Sequence, residues 1–122
     1  MIDKVVDVKL GESIVAYKNV SINEEYFKGH FPYKPLVPGV LVVETMAQAT
    51  GILLRKSIPE APSMLPMVTS VKMRFLGPVF PGDRLYVTVK AVKMTKIGGV
   101  FSYEAHVDDK PIAKGEMTFA CK

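Results

Sequence analysis

One cysteine, no tryptophan and no block of five like charges are found in these 122 residues. A single thiol, Cys121, excludes an internal disulfide and any cysteine-based metal site. Lacking a charged helical setting, it reads as a passenger on a last strand rather than a nucleophile. The formal charge of +4 is scattered, so no basic stripe for nucleic acid is present. No apolar run reaches the ~20 residues of a membrane span; the longest, 40–54, is interrupted by Glu44 and Gln48. Met1-Ile2-Asp3-Lys4 lacks the apolar stretch of a secretory signal, and a reducing cytoplasm is the expected compartment. His30 and His106 have no local ligand pattern, so no metal is expected.

The chain does have a hydrophobic fraction of 48% at a length that suits one core, and a single domain over 1–122 is expected. Residues 13–21 read as a strand. Pro32, Pro35 and Pro38 stiffen an extended approach. Pro38 opens a helix from Gly39 to Arg55 or Lys56, whose charges suit a C-terminus. Residues 57–66, with three prolines, form a loop. Strands follow: 67–75, then 84–94 after the turn Pro81-Gly82-Asp83, then two more around Asp108-Asp109-Lys110. Leu85, Val87 and Val89 share a side, as do Phe101, Tyr103, Ala105 and Val107. His106 falls opposite with Ser102 and Glu104, facing solvent. In the last strand Ala113, Gly115, Met117 and Phe119 alternate with Ile112, Lys114, Glu116 and Thr118. The sum is an α+β domain with one long helix and five or six antiparallel strands.

Glu44 is the anomaly. The helix is apolar nearly all round, so it has no face for water and belongs in a core. An ionised carboxylate there costs several kcal/mol unless paired or protonated. A group kept at that cost is a candidate for proton chemistry, and His30, fourteen residues earlier, is a candidate partner. One curved sheet covers one side of such a helix, so a second subunit is expected to cover the rest.

The stretch Gly29-His30-Phe31-Pro32, then Pro38-Gly39-Val40-Leu41, then Glu44 and Gln48, resembles the signature of the beta-hydroxyacyl-acyl carrier protein dehydratases. Arg74-Phe75 followed by Pro78-Val79-Phe80-Pro81-Gly82-Asp83 resembles the family's next landmark. The chain departs from the pattern at Tyr33, where a glycine is usual, and at Leu76-Gly77, where a basic pair is usual. The resemblance implies a hotdog fold, in which a curved antiparallel sheet wraps one central helix. It implies loss of water from a 3-hydroxyacyl thioester, with no metal and no cofactor. His30 matches the base and Glu44 the acidic partner, its pKa expected to rise by desolvation. Gln48, one turn on, is placed to orient Glu44. Gly39 and the Phe31 backbone N–H are candidate donors to the thioester oxygen. The implied partner is acyl carrier protein bearing a 3-hydroxyacyl chain, or a coenzyme A thioester. The implied active unit is a homodimer, which a trimer of dimers would extend, with each site shared between subunits. Lys72, Arg74, Lys93 and Lys96 are candidates to dock an acidic carrier, against the plainer reading of a solvated charged face. Two other functions share the scaffold: a thioesterase, and an acyl-thioester binding module without catalysis.

Overall fold

A computed structural model describes residues 2–21, 39–59 and 66–121. In chain order the elements are β1 (Lys4–Lys9), β2 (Ser13–Asn19), α1 (Gly39–Ser57), β3 (Pro66–Phe75), β4 (Arg84–Thr95), β5 (Gly98–Val107) and β6 (Lys110–Cys121). The strands form one sheet in the order β1-β2-β4-β5-β6-β3, and each neighbouring pair is antiparallel. The expected strands and helix are found, and Lys4–Lys9 adds a sixth strand.

Period-two patterning builds the inner face. Ile14 and Ala16, then Leu85, Val87 and Val89, then Phe101, Tyr103 and Ala105, then Met117 and Phe119 are buried on it. Helix α1 crosses this face and buries Val42, Met46, Ala49, Leu53 and Leu54, a helical i, i+3/i+4 stripe. Fully burying side chains of this size stabilises by roughly 1.5–3 kcal/mol each. The core contains one polar pair. Thr50 Oγ1 lies 2.5 Å from the Tyr103 hydroxyl and donates to the Met46 carbonyl at 2.9 Å. The phenol is therefore the donor to Thr50, so both hydroxyls of the pair have a partner. Burial pushes the Tyr103 pKa upward, and the Thr50 hydrogen bond offsets part of that rise.

Two turns carry sequence signals with clear causes. Gly82 has φ 93°, a left-handed conformation that favours glycine, and Asp83 Oδ2 accepts the Phe80 N–H at 2.8 Å. Pro81-Gly82-Asp83 thereby closes the turn into β4, and backbone bonds tie it to Val20. Ile112 corrects the expected alternation: it is buried, not outward with Lys114 and Glu116. The β5–β6 register slips between Ala105 and His106, which pair with Ala113 and Pro111, so Ile112 is the extra residue of a bulge. His106 does share the outer face with Ser102 and Glu104, but it is half-buried and stacked on Tyr86 at 5.3 Å.

The two sheet edges are unlike. β1 is six residues long, bulged between Val5 and Asp7, and carries Lys4, Asp7 and Lys9, all devices that blunt an edge. β3 is ten residues long, pairs only with β6 among the described residues, and leaves Met67, Val68, Val71 and Phe75 exposed. No helix of the described residues is long and apolar enough to cross a membrane.

Candidate active site

Helix α1 has two apolar stripes, one enclosed in the core and one only half-buried. The second holds Val40, Val43, Ala47 and Ile52, with Glu44, Gln48 and Arg55 among them. Glu44 is exposed in the single chain. This corrects the expectation of a carboxylate buried in the core. The apolar all-round pattern arises because the helix offers a second surface, not because one fold encloses it.

That second stripe forms the floor of a cleft of about 540 Å³. Glu44, Ala47, Gln48, Gly51, Ile52 and Arg55 line it from the helix; Val68 and Phe119 supply the sheet wall. Gln48 Nε2 donates to Glu44 Oε1 at 3.3 Å, the i, i+4 contact expected from the sequence. This long, single bond restrains the carboxylate and leaves its other oxygen available to a ligand.

The helix starts at Gly39, as expected. Its φ is not in the left-handed region, so conformational freedom is not what glycine supplies here. Space is. A Cβ on Gly39 would lie 3.0 Å from two carbons of the Phe75 ring. The ring at the end of β3 thus rests against the first turn of α1, where backbone N–H groups lack intrahelical acceptors and the helix dipole favours developing negative charge. Sequence reading missed this contact; Phe75 carried only a landmark role there. It likewise read Arg55 as a helix-end charge. Its guanidinium in fact folds back over Gly51, 3.4 Å from where a Cβ would stand, and the Gly51/Arg55 spacing of four is the signal that was available.

His30 and Phe31, and the proline-rich approach around them, lie outside the described residues. Among the described residues no group of three or more His, Cys, Asp or Glu is placed to hold a metal. Lys72 and Arg74 flank a surface hollow with Lys114, beside exposed Leu76. Lys93 and Lys96 lie near the β4–β5 turn, outside that hollow, so the four cations do not form one patch.

An antiparallel sheet across one long helix is the hotdog architecture, and solved hotdog proteins share it. The structure titled the dehydratase heterocomplex ApeI:P from Xenorhabdus doucetiae superposes with TM-score 0.77 at 19% identity, over 98% of this chain and 96% of that one. The smu.793 protein from Streptococcus mutans bound to acetyl CoA gives 0.76 at 14% identity, over 100% and 89%. A hypothetical thioesterase from Streptococcus pneumoniae with coenzyme A gives 0.75 at 11% identity, over 98% and 84%. These likenesses establish the fold. The sequence goes further: the family model for a FabA-like domain matches residues 1–116, and the chain belongs to that family. Among curated relatives, the 3-hydroxyacyl-[acyl-carrier-protein] dehydratase FabZ of Shewanella denitrificans is 46% identical over 98% of this chain and 80% of its own length. The FabZ of Shewanella woodyi is 44% identical over the same shares.

Proposed function

We propose that this chain removes water from 3-hydroxyacyl thioesters carried on acyl carrier protein, giving trans-2-enoyl thioesters for fatty acid synthesis. The observation that carries this reading is Glu44 in an open apolar cleft, held by Gln48 and lying little more than one turn beyond the helix start, in a chain this similar to curated dehydratases. The fold alone does not choose between dehydratase and thioesterase.

The chemistry follows from what the substrate requires. A base takes the C2 proton, and the C2–H electron pair becomes the C2=C3 double bond. The C3–O bond breaks, and the departing hydroxyl takes a proton to leave as water. His30 is the base, since an imidazole near neutrality can take and return a proton. Glu44 delivers the proton to the leaving hydroxyl, and Gln48 aims its carboxyl. As C2 loses its proton, charge builds on the thioester oxygen. The Gly39 and Phe31 N–H groups stabilise it, aided by the dipole of α1. No step calls for a metal or an organic cofactor.

The active unit in this reading is a homodimer, with His30 of one subunit facing Glu44 of the other. Two features support it. On the second stripe of α1 Val40 is exposed while Val43, Ala47 and Ile52 are half-buried, and among the described residues β3 offers a long unpaired apolar edge with Met67, Val68, Val71 and Phe75 exposed. A subunit docked there covers both and closes the cleft.

Each of His30→Ala and Glu44→Gln is expected to abolish hydration of crotonyl carrier thioesters. Mixing the two inactive proteins tests the shared site. A hybrid dimer contains one site with both groups intact, so about a quarter of wild-type activity returns at equal mixing. Wild-type-like rates in both variants, or free thiol release in place of dehydration, would overturn the reaction. No recovery from the mixture, with hybrids verified, would overturn the shared site.

A further inference from the structure

Along the same cleft the helix contributes Glu44, Ala47, Gln48, Gly51, Ile52 and Arg55, and Arg55 is the helix residue of the lining farthest along the chain from Glu44; Ile2 also lines the cleft. Up to Gly51 the helix contributes small or apolar groups beyond the Glu44–Gln48 pair. There the Arg55 guanidinium folds back over the glycine, 3.4 Å from where a Cβ would stand. No described residue supplies Arg55 with a hydrogen bond or an ion pair. We infer that Arg55 sets how long an acyl chain the cleft accepts. This rests on the reading of Glu44 as the group that meets the C3 hydroxyl.

Seven residues separate Glu44 from Gly51, an axial distance of ~10 Å at ~1.5 Å per residue. An extended alkyl chain with ~1.5 Å bonds advances ~1.3 Å per carbon, so roughly seven or eight carbons fit beyond C3. A chain near 3-hydroxydecanoyl reaches the guanidinium. Every methylene up to that point exchanges water for Ala47, Ile52, Val68 and Phe119, a gain of roughly fourfold in affinity each. The next methylenes must strip water from a charged group that offers only donors, and they provide no acceptor in return. Affinity therefore stops rising there. The substrates favoured are short and medium chains with a plain alkyl tail.

The test is binding, which does not require turnover. Non-hydrolysable 3-hydroxyacyl-pantetheine amides, from butyryl to hexadecanoyl, are titrated calorimetrically into the wild type, Arg55→Met and Arg55→Lys. Arg55 is exposed at the helix end, so neither change threatens folding. In the wild type and Arg55→Lys, affinity rises with each carbon to about decanoyl and then levels. In Arg55→Met it continues to rise, and the tetradecanoyl ligand binds at least tenfold tighter than to the wild type. A wild-type affinity that climbs without a break to hexadecanoyl overturns the inference, as does an identical plateau in Arg55→Met. Turnover of the matching carrier substrates is measured alongside. A plateau without dehydration would sink the reaction assigned above and leave the role of Arg55 standing.

Discussion

Gly39→Ala separates two reasons for a glycine at the helix start. The added methyl would sit 3.0 Å from two carbons of the Phe75 ring, against the ~3.5–4.0 Å of a comfortable carbon contact. Something must yield by about half an ångström. Phe75 is 50% exposed and can turn outward, so the cost falls near the low end of the ~1–3 kcal/mol typical of overpacking. Opposing this, alanine at a compatible φ restricts the unfolded chain and stabilises by roughly 0.4–1 kcal/mol. In the wild-type background the two nearly cancel, leaving a net loss of about 0.5 kcal/mol. In a Phe75→Ala background the clash is gone, and the same change should stabilise by about 0.5 kcal/mol. Urea unfolding of the four proteins in this cycle gives the coupling directly. A sign change, with a coupling near 1 kcal/mol, is expected. Equal effects of Gly39→Ala in both backgrounds would refute the steric account. Activity adds a second readout. If the thioester oxygen approaches the Gly39 N–H, the double variant remains slow even though its stability is restored. Full activity there would remove Gly39 from the oxygen's binding groups.

Other outcomes follow from the core and the edges. Thr50→Val strands the Tyr103 hydroxyl without a partner and should cost ~1–3 kcal/mol in urea unfolding; Tyr103→Phe leaves Thr50 on the Met46 carbonyl and should cost ~1 kcal/mol or less. Equal losses would deny the donor assignment. The raised Tyr103 pKa sets an alkaline limit. Above the ordinary tyrosine pKa of 10.0 the unfolded chain loses this proton first, so stability is complete below that pH and declines as pH rises toward the folded value. Tyr103→Phe should flatten that decline in thermal melts, and an unchanged slope would assign it to other groups. Val71→Lys places a charge on the exposed inner face of β3 and should shift sedimentation from dimer to monomer. A dimer that persists would move the interface elsewhere.

The sheet and helix were legible because their patterns have simple physical causes. Period-two burial in β4 and β5, prolines before and after α1, and Gly82 in a left-handed turn each leave a local trace. The Glu44–Gln48 contact was legible because it follows from helical spacing alone. Three matters were not legible. Glu44 looked buried because a helix with two apolar faces and one enclosed in a core have the same composition; only tertiary packing shows which face is left open. Gly39 meets Phe75 across thirty-six positions of chain, and no local pattern reports a contact that distant. Ile112 broke alternation because a register slip depends on the partner strand, not on β6 itself.

The unequal margins of the sheet would limit how far the proposed dimer could extend. A tile with one bare side can be joined once, face to matching face, and its join consumes the side that made it adhesive. The lysine-fringed, bulged strand at the far margin offers no second seam. In the proposed homodimer, joining at β3 would close the sheet at a pair instead of letting it grow into a ribbon.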